Sequence, residues 1–192
     1  MKISPIIPVA RKEIMESSEC VYELKLDGFR GLADTINSRM LSKNLNPLKR
    51  FQHLLDGLPL NCVFDGEICV LDQDGKPDFN ALLFGRRKPV YIVFDLFFCE
   101  GKDVRYLSLK ERRSILDQLA EYYELQKSES FFGCGKSLFR AVCSRDLEGI
   151  VVKKLDDAYD PGRTKWWKVL NRSYSQKEGR GELFEKGRLT TP

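Results

Sequence analysis

The chain has 192 residues, of which 42% are hydrophobic and 31% are charged, so it is long enough to bury one sizeable core. Apolar runs all fall well short of the ~20 residues that span a bilayer, and the amino terminus lacks the apolar stretch of a signal peptide. We therefore expect no membrane partner. A net charge of +4 is too small to indicate nucleic-acid binding by itself.

The first two β-prone runs, residues 20–26 and 29–36, are separated by Asp27-Gly28. Asp-Gly is a hairpin-type dipeptide, so these runs are predicted to pair with each other. Further strands are predicted at 62–71, 90–98, 149–154 and 165–170, which are rich in β-branched and aromatic residues.

Three helices are predicted between these strands. The first covers residues 47–56, with Pro47 in its first turn. The second begins at Ser108, where Glu111 completes a capping box, and the third covers residues 136–143. Helices that interrupt groups of strands, without strict β-α-β alternation, favour an α+β fold with antiparallel sheets.

Cysteine usage bears on the cellular compartment. The six cysteines form no CxxC pair, so they indicate neither a zinc site nor a redox motif. Scattered thiols in a chain without an export signal are expected to stay reduced, which predicts a cytoplasmic protein.

The carboxyl-terminal region is basic. Between residues 163 and 188 there are eight Lys and Arg residues and three Glu residues. Such a segment either binds along the phosphates of a nucleic acid or is a solvated tail, and the composition is compatible with both interpretations.

Several charged residues interrupt apolar strands. In ELKLDGFR, Lys25 stands between Leu24 and Leu26, and it is followed by two further charged residues. Taken singly, each such residue is best explained as a strand-end charge that faces solvent. Taken together they include both signs, and buried charges need partners. The set comprises Lys25, Asp27, Arg30, Glu67, Asp95, Glu148, Lys153 and Lys168.

This combination suits nucleotidyl transfer to a lysine. An amine attacks a phosphorus atom only when it is unprotonated, and the neighbouring cations Arg30, Lys153 and Lys168 favour that form. Carboxylates are the preferred ligands of Mg²⁺, which bridges protein and phosphate oxygens. An aromatic side chain such as Phe94 could stack on a nucleobase.

The motifs KLDGFR, FDGEI, IVFDL, EGIVVK and WWKVL occur in this order. In order and content they resemble the nucleotidyltransferase motifs of ATP-dependent DNA ligases, especially the ligase modules of bacterial end-joining enzymes. The resemblance covers about residues 3–170. It implies an adenylation domain of the ligase type over residues 1–170, built from two antiparallel β-sheets with flanking helices, and a basic segment over residues 171–192.

The resemblance also implies a role for each matching residue. Lys25 would be the nucleophile that accepts the adenylate, while Asp27 and Asp95 would be support residues. The ligand contacts that it implies are Arg30 for ribose or phosphate, Glu67 for ribose or metal, Glu148 for metal, Phe94 for adenine, Lys153 and Lys168 for the α-phosphate, and Glu23 for the adenine edge.

The chain departs from the family pattern in three places. Lys43 stands where relatives have arginine. Lysine keeps the positive charge but lacks the planar guanidinium that binds phosphate through two hydrogen bonds. Leu170 replaces a second lysine. No oligonucleotide-binding (OB) domain is recognisable after residue 170, so we expect either that a partner chain supplies one or that it is dispensed with.

The resulting expectation is an enzyme that uses ATP and Mg²⁺ (or Mn²⁺) to form a lysyl-AMP on Lys25. It would transfer the AMP to a 5′-phosphate in nicked or broken duplex DNA, as a cytoplasmic, nucleoid-associated protein of bacterial type. Two alternatives stay open at this stage. One is an RNA ligase or a capping-type nucleotidyltransferase, and the other is a catalytically impaired module that binds DNA nicks or ends.

Overall fold

The structure, a computed structural model, describes residues 4–123 and 125–176. The strands formed there are β1 (Val9–Ala10), β2 (Cys20–Leu24), β3 (Phe29–Asp34), β4 (Arg39–Ser42), β5 (Val63–Cys69), β6 (Val90–Cys99), β7 (Lys102–Asp103), β8 (Phe131–Phe132), β9 (Gly149–Lys154) and β10 (Trp167–Leu170). The helices are α1 (Phe79–Leu83), α2 (Leu109–Tyr123), α3 (Gly135–Ser144) and a 3₁₀ helix at Lys49–Leu55.

The strands form two five-stranded sheets. The first sheet has the order β1-β10-β9-β2-β8, and the second has the order β4-β3-β5-β6-β7. Within the described ranges every strand pair is antiparallel except β1 with β10, which is parallel. The predicted α+β fold with two mainly antiparallel sheets and flanking helices is therefore confirmed.

The predicted hairpin around Asp27-Gly28 is wrong. Strand β2 belongs to the first sheet and β3 to the second, so the chain crosses from one sheet to the other at this point. A Cβ atom at Gly28 would lie 2.2 Å from the carbonyl oxygen of Ile68. Glycine is therefore needed here for close packing against the second sheet, rather than for a two-residue turn.

The first predicted helix is shorter than expected and has a different geometry. Residues 49–55 form a 3₁₀ helix, whereas Pro47 still forms a β-bridge with Leu41. The extended chain at Pro47 delays the start of the helix. The second helix, α2, begins as predicted: the backbone N–H of Ser108 donates to Oε2 of Glu111 at 2.8 Å, which is one half of a capping box.

The sheets enclose an apolar cluster. Side chains of the second sheet, including Leu32, Val63 and Phe97, pack there with Trp166 and with Val151 of the first sheet. A larger cluster lies between the second sheet and the helices α1 and α2, and a third lies between the first sheet and α3. Burial on both faces fixes the second sheet between these layers.

The chain beyond residue 170 continues to pack on the domain. Tyr174 is buried, and its hydroxyl donates to Oδ2 of Asp27 at 2.7 Å. The side chain of Gln176 donates to the carbonyl oxygen of Pro77 at 3.0 Å. The rest of the predicted basic segment, residues 177–192, lies outside the described residues.

A search of the helices in the described ranges found no candidate membrane span, because none of them combines the necessary length and apolar character.

Helix α2 is anchored to the second sheet by a buried ion pair. Arg112 donates from Nε to Oδ1 of Asp95 at 2.7 Å and from Nη2 to Oδ2 at 2.9 Å. Both side chains are almost completely buried. Removing one partner of such a pair leaves an uncompensated buried charge.

We predict that Arg112→Ala destabilises the domain by about 3–5 kcal/mol, because the Asp95 carboxylate stays buried without its cation. The measurement is urea unfolding at neutral pH. Lys110 is a matched control on the same helix, since its ion pair with Asp156 at 2.7 Å is exposed. Lys110→Ala should leave the stability almost unchanged, and equal losses in the two variants would contradict the prediction.

Candidate active site

Lys25 and Glu148 meet at one end of the first sheet, where β2 ends and β9 begins. Lys25 follows β2, and its backbone N–H donates to the carbonyl oxygen of Gly149 at 2.9 Å. Its Nζ lies 2.9 Å from Oε2 of Glu148, the residue just before β9. Both side chains are only partly buried. The lysine that the sequence singled out is therefore paired with an acid and still accessible.

Glu67 lies on β5 in the second sheet, in register with Arg30 of β3. Burial raises the pKa of Glu67 to about 7, and the charges of Glu148 and Asp65 act in the same direction. The cations Lys25 and Arg30 oppose this rise without cancelling it. Glu67 thus changes its protonation state near neutral pH.

Arg30 is held in place by the protein. It donates from Nε to Oδ1 of Asp65 at 2.8 Å, from Nη1 to the carbonyl oxygen of Ile6 at 2.6 Å and from Nη2 to the Tyr159 hydroxyl at 3.3 Å. Burial works against its charge, but Asp65 and Tyr159 outweigh burial and raise the pKa of Arg30. Its guanidinium carbon lies 5.2 Å from the centre of the Phe94 ring.

Lys153 is buried at the junction of the two sheets. Its Nζ lies 2.7 Å from Oε2 of Glu23 and donates to the carbonyl oxygen of Phe94 at 3.2 Å. The same atom is 4.6 Å from the centre of the Phe94 ring and 4.2 Å from that of Trp166. Burial lowers the pKa of Lys153, although the neighbouring Glu23 charge opposes the change.

The side chain of Glu23 is shared between two cations. Its other carboxylate oxygen accepts a hydrogen bond from Nη1 of Arg113, whose Nη2 donates to the carbonyl oxygen of Ser128 at 3.2 Å. The Ser128 hydroxyl is the only buried side-chain oxygen or nitrogen of the described residues without a hydrogen-bond partner. The expected adenine-edge residue, Glu23, is therefore a buried acid that two cations hold in place.

The other predicted contact residues differ in their exposure. Phe94 is half-buried and packs edge-on against Trp166, with ring centres 5.8 Å apart. Lys168 is half-buried on β10. Lys43 is exposed just after β4 and forms no ion pair within the described residues. Leu170 lines, with Glu148, a cleft of about 650 Å³.

Sequence reasoning missed the residues that hold the site together. Asp65 and Tyr159 position Arg30, and Arg113 holds Glu23. Asp65 could have been found, because it lies two residues before Glu67 in a strand and therefore on the same face. Tyr159 and Arg113 come from distant segments that carry no local signal.

The carboxylates present fit a magnesium ion that phosphate groups help to hold. Within residues 4–123 and 125–176, no group of three or more His, Cys, Asp or Glu side chains is arranged to bind a metal. Glu148 is nevertheless close enough to Glu67 for its charge to help raise the pKa of Glu67. Mg²⁺ is commonly bound by one or two carboxylates together with substrate phosphates and water.

The paired lysine and acid, with cations and aromatic rings between two sheets, define a site of the nucleotidyltransferase class. A family profile described as "ATP dependent DNA ligase domain" matches residues 6–169. The chain therefore belongs to the ATP-dependent DNA ligase family, as its motifs indicated.

Individual relatives agree with this assignment. The chain is 37% identical, over 78% of its length, to the multifunctional non-homologous end joining protein LigD of Pseudomonas aeruginosa, but the match covers only 20% of that protein. It is 30% identical to the SPbeta prophage-derived DNA ligase-like protein LigB of Bacillus subtilis, over 92% of this chain and 70% of that protein. A structure of mycobacterial DNA ligase D complexed with ATP and MES matches with a TM-score of 0.73 at 25% identity, over 87% of this chain and 60% of that one.

We predict that Glu67→Gln stabilises the metal-free protein at mildly alkaline pH and not at acidic pH. The folded-state pKa of Glu67, about 7, lies above its ordinary value of 4.5. The folded protein therefore binds this proton more tightly than the unfolded chain does, and stability falls as the pH rises from 4.5 through 7. Glutamine does not titrate, so the variant should gain up to about 3 kcal/mol above that range.

Urea unfolding in EDTA at several pH values measures this effect. Glu121→Gln removes an exposed acid on α2 and should show no such gain. A constant difference between the Glu67→Gln variant and the wild type across the pH range would show that Glu67 is not strained in its ionised form.

Proposed function

We propose that this chain transfers adenylate from ATP to Lys25 and then to a 5′-phosphate of duplex DNA. The observation that carries the proposal is the position of the Lys25 amine, 2.9 Å from Glu148 and near the carboxylate of Glu67. The sequence alone pointed to the same lysine through KLDGFR. Family membership, which covers residues 6–169, supports the choice of ATP.

The first step forms one bond and breaks another. The Lys25 ammonium gives up a proton to the neighbouring Glu148 carboxylate. The free amine then attacks the α-phosphorus of ATP. An N–P bond forms, the bond from the α-phosphorus to the bridging oxygen breaks, and pyrophosphate leaves. Lys168, which is only half-buried, is suited to neutralise the charge on the phosphates.

The remaining residues of the site would orient the nucleotide. Phe94 offers an aromatic face for the base. Arg30 is rigidly held by Asp65, so it would position a ribose or phosphate group without rearranging. Glu148 and Glu67 would hold a Mg²⁺ (or Mn²⁺) ion, which neutralises phosphate charge when it is bound.

In the later steps the AMP would pass to the 5′-phosphate of a break, and a 3′-hydroxyl would displace it to seal the nick. The non-homologous end joining name of the Pseudomonas relative supports nicked or broken duplex DNA as the substrate. We place this reaction in the cytoplasm, in contact with the nucleoid.

We predict that Lys25→Ala abolishes the AMP adduct while leaving the fold intact, because the substitution removes only the nucleophile. The test is incubation of the full chain with ATP and Mg²⁺, followed by intact-mass analysis. Lys154→Ala, on the neighbouring strand, is the matched control and should keep the adduct, since Lys154 is exposed. An adduct on the Lys25 variant, mapped to another lysine, would overturn the assignment. No adduct on the wild-type chain would favour the nick-binding module.

We predict that Glu148→Gln slows adduct formation by on the order of a hundredfold and moves its optimum to higher pH. Glutamine can neither accept the proton of Lys25 nor bind a cation as a carboxylate does. Single-turnover rates across neutral and alkaline pH, at low and high Mg²⁺, measure both effects, and added Mg²⁺ should restore the rate only in part. An unchanged pH profile and unchanged metal dependence would leave Glu148 with a structural role only.

A further inference from the structure

The residues that follow β10 pack beside the loop that carries Glu148. We call residues 171–176 the brace segment. The backbone N–H of Asn171 donates to the carbonyl oxygen of Glu148 at 2.9 Å, and its side-chain Nδ2 donates to the carbonyl oxygen of Leu147 at 3.1 Å. Asn171 is buried, and it lines the cleft of about 650 Å³ together with Glu148. The brace segment therefore holds the backbone from which the Glu148 carboxylate contacts Lys25.

The same segment contacts the loop that carries Lys25. The hydroxyl of Tyr174 donates to Oδ2 of Asp27 at 2.7 Å, and both side chains are buried. Burial raises the pKa of the Tyr174 hydroxyl, and the charge of Glu148 acts in the same direction, so the hydroxyl remains a donor at neutral and mildly alkaline pH. Asp27 lies two residues after Lys25, at the point where the chain crosses from the first sheet to the second. The hydrogen bond thus holds the crossing next to Lys25.

The last residues of the brace segment connect the two sheets. Ser175 donates from its backbone N–H to Oδ1 of Asp146 at 2.9 Å, and the same carboxylate pairs with Nζ of Lys76 at 2.9 Å. Gln176 donates from Nε2 to the carbonyl oxygen of Pro77 at 3.0 Å. Asp146 lies in the loop before β9 of the first sheet, whereas Lys76 and Pro77 lie between β5 of the second sheet and α1. The segment is therefore anchored on both sides of the crossing.

The contact between Lys25 and Glu148 depends on how precisely their two loops are held. The pair joins residues that are 123 positions apart in the chain, at an Nζ–Oε2 distance of 2.9 Å. An amine attacks effectively only when the reacting atoms are about 3–3.5 Å apart and aligned, and a displacement of about 1 Å can cost on the order of a hundredfold in rate. A segment that is hydrogen-bonded to both loops limits such a displacement.

We infer that Tyr174 is a positioning residue for Lys25, and that it acts through its hydrogen bond to Asp27. This inference rests on the proposed function and deepens it. Asn171 of the same segment holds the backbone of Glu148, so the brace segment fixes the amine and its proton acceptor relative to each other. Tyr174 acts on the amine and not on the nucleotide. Loss of its hydroxyl should therefore slow the reaction without weakening the binding of ATP.

The experiment compares Tyr174→Phe with Tyr22→Phe in the full chain. Each substitution removes the hydroxyl of a buried tyrosine and keeps its ring. Tyr22 is the matched control, because its hydroxyl donates to the carbonyl oxygen of Met15 at 2.8 Å and accepts from the backbone N–H of Ser17 at 2.9 Å. Its loss therefore leaves the hydrogen bonds of the brace segment in place.

The first measurement is single-turnover formation of the AMP adduct over a range of ATP concentrations. Tyr174→Phe should lower the maximal rate by about tenfold and leave the ATP concentration for half-maximal rate within about twofold of the wild type. Tyr22→Phe should keep the wild-type rate. Equal slowing in the two variants, or a wild-type rate for Tyr174→Phe, would overturn the inference.

The second measurement is amide hydrogen exchange, followed by NMR in the absence of ATP. The backbone N–H of Lys25, which donates to the carbonyl oxygen of Gly149 at 2.9 Å, should exchange about tenfold faster in Tyr174→Phe than in Tyr22→Phe. Equal exchange at Lys25 in the two variants would also overturn the inference. A wild-type chain that forms no adduct would refute the adenylation proposal, and the exchange at Lys25 would then decide the inference by itself.

Discussion

The buried ammonium of Lys153 connects the parts of the structure on which the site depends. It lies on β9 of the first sheet, pairs with Glu23 of β2 and donates to the backbone of Phe94 in the second sheet. Removing such a charge from water is costly unless partners surround it. Glu23 and two aromatic rings provide them, and Arg113 ties the same acid to α2. The two sheets are therefore held together at the backbone of Phe94.

The ionic groups of this domain fall into two classes according to their burial. Asp65 and Asp95 are completely buried and stand opposite each other on neighbouring strands, and each is matched by its own arginine. These two ion pairs fix the positions of the strands and side chains around them. Their buried charges are matched, so we expect them to take no direct part in a reaction. Lys25 and Glu148 also form a pair, but both remain partly accessible. Burial thus separates the charges that position the site from those that would carry its chemistry.

Local sequence patterns indicated where the strands lie better than how the strands pair. The candidate residues Lys25 and Glu148 followed from motifs, because a charge in an apolar strand is conspicuous from the sequence alone, and the structure brings these two residues together. The Asp-Gly turn before β3 was misread, since turn chemistry does not reveal which strand lies alongside. Arg113 and Tyr174 were not anticipated, because their contacts with Glu23 and Asp27 span 90 and 147 residues. Long-range partners depend on tertiary packing and leave no local periodicity.

The strain at Glu67 has a consequence for ligand binding. Its ionised form is disfavoured by burial and by two nearby acids, so part of the folding free energy is lost when the proton leaves. A cation that pairs with the ionised carboxylate restores this free energy on binding, and its affinity must therefore increase with pH through the range near 7. Binding of a cation therefore stabilises a site whose ionised form is unfavourable when the site is empty.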